Sequence, residues 1–183
     1  MLSRKLLVSA ISTLLAAPML VSADSDIGFG GAGTNASADL EFQIVIPQFV
    51  FFRVGTAGAL DRVDFDLGTA LAQPGTGVSV DATGGVGDGA DGDLDVEIIT
   101  NATGLTIGAT GGDLSSGSNL IPFTDITAAD GGDIPVPAFG TVGVAVPGVP
   151  GTLNDTWSYT YNNDTVYPPG TYAGTVTYTV TTL

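Results

Sequence analysis

Apolar and polar residues alternate along much of the chain. At the C-terminus, Tyr172, Gly174, Val176, Tyr178, Val180 and Thr182 form one register, and Ala173, Thr175, Thr177, Thr179 and Thr181 form the other. Period-two alternation of β-branched and aromatic residues predicts a half-buried strand, with one face for a core and one for water. The same period appears at Leu40, Phe42, Ile44 and Ile46, up to Pro47, and a second apolar run covers Phe49 to Val54. Proline has no N–H to give to a ladder, so Pro47 marks a break or an edge position between two strand pieces. Further short runs follow in LDRVDFDLG, GVSVDAT, DLDVEIITNATGLTIGAT, FGTVGVAV and TWSYTY. Turn-forming segments such as QPGTG, TGGVGDGADGD, AADGGDIPVP and NNDTVYPPG separate them. No helix is readable beyond the first two dozen residues. About seven to nine short strands at this spacing predict an all-β chain, an immunoglobulin-like antiparallel β-sandwich.

The N-terminal residues break the pattern. Arg4 and Lys5 precede an apolar stretch from Leu6 to Leu20 interrupted by Pro18, and Val21 to Ala23 present small residues at the positions a signal peptidase reads. Residues 1–23 are therefore expected to be a secretory signal peptide, and the protein to be exported to the periplasm, the cell surface or the medium. The Gly-rich segment DSDIGFGGAGTNASA, residues 24–38, reads as an N-terminal extension. Residues 39–183 are long enough for one sandwich domain with its own core.

Composition narrows the chemistry. The formal net charge is −15, with 19 acidic residues, four basic ones and no histidine. Beyond the signal, only Arg53 and Arg62 are basic, so nothing there could neutralise nucleic-acid phosphates or an anionic membrane surface. Cysteine is absent from the chain, and lysine is absent beyond residue 5. A Ser-His-Asp triad, a Cys-His pair, a Schiff-base lysine and a soft-metal site are thereby excluded. The acids lie mainly in Gly/Asp loops rather than as a carboxylate pair on strand ends, and no enzyme is expected.

Two groups of side chains are candidates for binding. In GDGADGDLDVE, Asp88, Asp91, Asp93 and Asp95, followed by Glu97, offer hard oxygen ligands at spacings a calcium ion uses. The same alternation arises if the later aspartates are simply the outward positions of a strand beginning near Leu94. Trp157, Tyr159 and Tyr161 share one side of their strand, which fits either a core aromatic cluster or a sugar-stacking platform. Asn35, Asn101, Asn154 and Asn163 head Asn-x-Ser/Thr triplets, which Thr-rich loops generate by chance, and no function is assigned to them.

The terminal strand poses a different question. After Asp164 no residue carries a charged side chain. Exposed sheet edges are normally blunted by lysine, proline, a bulge or inward charge. Beyond Pro169 this strand has none of these, and its Thr/Val/Tyr composition suits pairing with another strand. Either it lies inside its own sheet or something else pairs with it.

This strand resembles the C-terminal strand of subunits from bacterial chaperone–usher pili and related spore-coat-like secreted proteins. Counting back from Leu183, Gly170 stands fourteenth, where that family places a glycine. Val176, Tyr178 and Val180 fall on the family's inward register. The penultimate position, usually aromatic there, is Thr182, and the disulfide of many such subunits has no counterpart. The stretch EFQIVIPQFVFFRVG is similar to the family's first strand. The resemblance implies an incomplete sandwich whose missing strand leaves an apolar groove beside the terminal strand. It implies that a periplasmic chaperone, and then a segment of another subunit, fills that groove by strand addition. Leu40, Phe42, Ile44, Ile46, Gly170, Tyr172, Val176, Tyr178 and Val180 would then be subunit-contact residues. Leu40 to Ile46 fit either the inserted strand or the first strand of the sandwich itself.

The expected function is that of a secreted structural subunit of a fimbria-like surface assembly, with copies of itself or related subunits as partners and no cofactor. Two alternatives stand beside it. One is an acidic, calcium-dependent carbohydrate- or surface-binding module using Trp157, Tyr159 and Tyr161, and the other is a self-contained exported domain.

Overall fold

The computed structural model describes residues 26–183; the signal-peptide expectation lies outside the described residues. The described chain is β1 (Val50–Val54), β2 (Arg62–Asp64), β3 (Val80–Asp81), β4 (Gly84–Val86), β5 (Asp93–Thr100), β6 (Leu105–Gly111), β7 (Leu114–Ser116), β8 (Asn119–Ile121), β9 (Ile126–Asp130), β10 (Val144–Val146), β11 (Gly151–Tyr161) and β12 (Val176–Thr182). Two short 3₁₀ turns, Gly87–Asp91 and Phe123–Asp125, are the helical elements among the described residues. All the strand pairs are antiparallel. The protein is therefore mostly β, as the alternation predicts. The strands outnumber the expectation because several are two- or three-residue pieces whose partners lie far away in sequence.

Two sheets enclose the main core. The larger runs β1-β5-β11-β3, with β9 on the other edge of β11. The smaller runs β10-β6-β12. β2 with β4 and β7 with β8 form two small ladders beside them. The long run DLDVEIITNATGLTIGAT folds as β5, a short connection and β6, so that one hydrophobic stretch supplies a central strand to each sheet. Its alternation puts Leu94, Val96 and Ile98 of β5 and Leu105 and Ile107 of β6 into the same core. Trp157 and Tyr159 of β11 and Ile134 from the loop after β9 complete it. A smaller core joins Val80, Ile121 and Tyr161, with Tyr167 and Tyr172 packed against it.

Buried polar groups are tied into this framework. The Trp157 indole N–H donates to the Ile134 carbonyl at 2.8 Å. Asn163, fully buried, accepts from the Gly75 N–H at 3.0 Å and donates to the Gln73 carbonyl at 2.7 Å, fixing the loop before β3. Such pairing is what burial of an amide requires. Gly92 has a φ of 83° as it ends the first 3₁₀ turn, and its carbonyl accepts from the Tyr159 N–H at 3.1 Å. A side chain at that φ would strain the backbone where β5 begins.

Packing groups Pro47–Leu183 as one compact unit, the preceding residues being assigned to another. Between Ile27 and Phe49 no residue is in a strand. The alternation at Leu40, Phe42, Ile44 and Ile46 predicts a strand piece, and the structure gives irregular chain without a ladder. A period of two describes side-chain facing, whereas a strand also needs a partner for its backbone groups. The first strand of the sheet is instead the second apolar run, β1.

Candidate strand-pairing site

β12 pairs with β6 on one edge through seven residues, Val176 opposite Gly111 and Thr182 opposite Leu105. Its other edge has no partner strand among the described residues. β1 pairs with β5 on one edge, Val50 opposite Thr100 and Val54 opposite Val96. Its other edge is equally unpaired among the described residues. β1 and β12 approach one another at the side of the sandwich, with Cα atoms within 8 Å, so the two free edges lie close together.

Burial along these strands differs from that of the interior strands. On the interior strands the inward side chains are sealed, with Ile98 and Ile107 at 0% exposure. On β12 Val176, Tyr178 and Val180 are only half-buried, although Tyr178 and Val180 pack against the same core. On β1 the inward Phe52 and Val54 are half-buried, and Val50, on the same face, is 38% exposed. An inward-pointing side chain that keeps solvent contact lacks a neighbour on its open side. Tyr178 is nonetheless anchored. Its hydroxyl shares a 2.8 Å hydrogen bond with that of Tyr159, and its ring meets Trp157 edge-on at 4.9 Å. Burial pushes both tyrosine hydroxyls above the ordinary tyrosine range, so both are neutral at physiological pH.

The edges carry no charged guard. β12 has no ionisable side chain other than Tyr178. The one charge on β1, Arg53, turns toward β5, where it bridges Glu97 at 3.2 Å and donates to the Gly55 carbonyl at 2.9 Å. Leu40, Phe42, Ile44 and Ile46 supply the complementary feature. They are 73%, 83%, 84% and 74% exposed, an alternating apolar series with no ladder of its own.

Other expected site residues lie elsewhere. Gly170 and Tyr172 precede β12 rather than belonging to it. Tyr172 packs on the smaller core and its hydroxyl donates to the Pro168 carbonyl at 2.8 Å, while Gly170 sits beside Ser116. An isolated bridge between Ala173 and Ser115 lies between this stretch and the strand. Trp157, Tyr159 and Tyr161 are 0%, 9% and 6% exposed, so no ring face is open and a sugar-stacking platform does not form on them. Their side of β11 is the inward one, because Thr156, Ser158 and Thr160 take the outward register.

Asp88 and Asp91 lie in the first 3₁₀ turn, while Asp93 and Asp95 point outward from β5. Among the described residues no three acidic side chains converge as a metal would need. Asp88 is engaged by Thr56, whose hydroxyl donates to its carboxylate at 3.3 Å. Beside it, Asp61 accepts from the Thr56 N–H at 2.5 Å. Two side chains were invisible as functional in the sequence. Asp155 accepts from the Asp133, Ile134 and Thr156 N–H groups. Burial acts to raise its pKa, but these backbone donors together hold it below the usual carboxylate value. Asn101, readable only as the head of a glycosylation triplet, accepts from the Phe49 N–H and donates to the Pro47 carbonyl, both at 2.9 Å.

No family model matches the chain, and neither a curated protein nor a solved structure does. The site therefore rests on its own geometry.

Proposed function

We propose that the protein is a secreted structural subunit of a fimbria-like surface assembly that polymerises by β-strand addition. One observation carries the reading: β1 and β12 present two edges unpaired among the described residues, β12 without a charged side chain and β1 with its one charge, Arg53, bridged to Glu97, beside half-buried inward side chains, while the same chain carries an exposed alternating series at Leu40–Ile46. The sandwich is immunoglobulin-like with one strand missing, and Leu40, Phe42, Ile44 and Ile46 of one copy fill the gap of the next. Each fully inserted apolar side chain contributes roughly 1.5–3 kcal/mol, and the open backbone edge fixes the register. Because the donor segment and the gap are different surfaces, the contact is head-to-tail and propagates as a filament rather than closing as a symmetric dimer. The resemblance of the terminal strand to chaperone–usher pilus subunits supports the same reading. An exported apolar edge of this kind also suits a periplasmic chaperone that covers it before assembly.

The test is size-exclusion chromatography with light scattering on the protein and on a variant lacking residues 39–46. The intact protein is expected to give a ladder of oligomers, and the deletion to give monomers or disordered aggregate with no ladder. A stable monomer from both would refute strand addition.

A further inference from the structure

Six asparagines in a chain of this serine and threonine content would head about one Asn-x-Ser/Thr triplet by chance, and four do, at Asn35, Asn101, Asn154 and Asn163. Such a triplet is the acceptor of N-linked glycan in exported proteins. The reacting atom is the side-chain amide nitrogen, Nδ2. It bonds to the anomeric carbon of a glycosyl diphosphate as the anomeric C–O bond breaks. The diphosphate leaves with the electron pair, and one Nδ2 proton passes to a base of the transferase. The amide must therefore be reachable, and the finished fold must leave room for a sugar.

Within Pro47–Leu183 the three triplets differ at this atom. Asn163 is 0% exposed, and its Nδ2 donates to the Gln73 carbonyl at 2.7 Å and to the Thr76 hydroxyl at 3.3 Å. Both of its protons are used, and burial leaves no room for a sugar. Asn101 is at the surface, but its carboxamide is held at both ends, by the Phe49 N–H and the Pro47 carbonyl, each at 2.9 Å. Asn154 is exposed on the outward face of β11, and its carboxamide has no hydrogen-bond partner among the described residues. Thr156 is exposed on the same face, two residues along, and its hydroxyl is equally free there. The carboxylate of the intervening Asp155 is occupied by the N–H groups of Asp133, Ile134 and Thr156. β9 pairs with β11 only from Trp157 onward, so beside Asn154 the strand has a ladder partner on its β5 edge alone among the described residues. An open hollow of about 250 Å³ adjoins the triplet, lined by Arg53, Asp95, Val96, Asn154, Asp155 and Thr156. Its guanidinium and carboxylate groups are of the kind that hydrogen-bond sugar hydroxyls.

We propose that Asn154 is an N-glycan acceptor, with the first sugar seated over the outward face of the larger sheet. Asn154 lies two strands in from β1, on the sheet face rather than on the free edge. The inference rests on the secretion part of the strand-addition reading and adds a covalent sugar to the exported subunit.

The experiment is peptide mass spectrometry on the protein secreted by the cells that make it. Cleavage after aromatic residues puts Asn35, Asn101, Asn154 and Asn163 on separate peptides. The Asn154 peptide is expected to carry a sugar mass, and the Asn101 and Asn163 peptides to be bare. Asn154→Gln and Thr156→Val should each abolish the modification, whereas Thr156→Ser, which keeps the hydroxyl, should retain it. A bare Asn154 on the secreted protein would overturn the proposal, and this result needs no variant to fold. A sugar on Asn101 or Asn163 with Asn154 bare would overturn it too, as would one that persists on Asn154 in Thr156→Val. Protein kept inside the cell with residues 1–23 still attached refutes secretion itself. That outcome is read from location and the N-terminal peptide, so it is distinguishable from a bare Asn154 on secreted protein.

Discussion

Replacing Ile44 with aspartate separates the donor reading from a place in the subunit's own core. Ile44 is 84% exposed, so its loss should leave the unfolding free energy of the dilute subunit within about 0.5 kcal/mol. On insertion nearly the whole side chain would leave water, worth about 1.5–3 kcal/mol, and a carboxylate in its place adds a desolvation penalty. A loss of at least ~2 kcal/mol corresponds to about a thirtyfold weaker subunit contact. Val45 supplies the control. It is 79% exposed, as open as its neighbour, but in a paired strand it faces the opposite side. Val45→Asp should therefore assemble within a fewfold of the parent protein. The assays are urea unfolding at a concentration where the subunit is monomeric, and light scattering across a concentration series. Equal effects of the two substitutions on assembly would refute the registered insertion. A drop of more than ~1 kcal/mol in subunit stability for Ile44→Asp would instead place the segment within the subunit's own fold.

Three further outcomes are expected. Trp157→Phe removes the donor to the Ile134 carbonyl and part of a fully buried ring, and should cost about 1–3 kcal/mol by chemical unfolding followed by circular dichroism; an unchanged midpoint would contradict its place in the core. Because burial raises Tyr159 and Tyr178 in the folded chain, while unfolded tyrosine ionises near 10, their contribution to stability is complete below about pH 10. It declines as pH rises beyond that value, by about 1.4 kcal/mol per unit for each tyrosine still protonated in the fold. Unfolding curves from pH 8 to 11 measure the slope, and Tyr178→Phe should reduce it. Removal of calcium with a chelator should leave the melting temperature unchanged, since among the described residues no three acidic side chains converge near Asp88, Asp91, Asp93 and Asp95; a fall of several degrees would support calcium binding there.

The alternation at β5, β6, β11 and β12 was legible residue by residue, because a strand with one buried face writes its facing into the sequence. The same rule made Trp157, Tyr159 and Tyr161 a single facing group, yet it left open which way they faced. That choice belongs to the partner strands: Leu94 and Ile98 on neighbouring β5 and Ile107 on the other sheet share the core with Trp157 and Tyr159, so the aromatic side of β11 is the one that excludes water. The aspartates of GDGADGDLDVE were ambiguous in another way. A spacing that suits a cation is also the spacing of outward positions on a strand, and only the path of Gly87–Asp91 into β5 placed Asp93 and Asp95 on the outward face.

For the pairing site, the sequence by itself determined that Leu40–Ile46 and Val176–Thr182 each have an apolar face and that the terminal stretch has no charge to guard an edge. These are properties of consecutive residues. The tertiary structure alone decided that the first segment forms no ladder among the described residues, that β1 and β12 are edge strands lying close together, and that Asn101 reaches back to Pro47 and Phe49. Neighbours in a sheet are chosen by contacts between residues far apart in the chain, and local alternation carries no record of them.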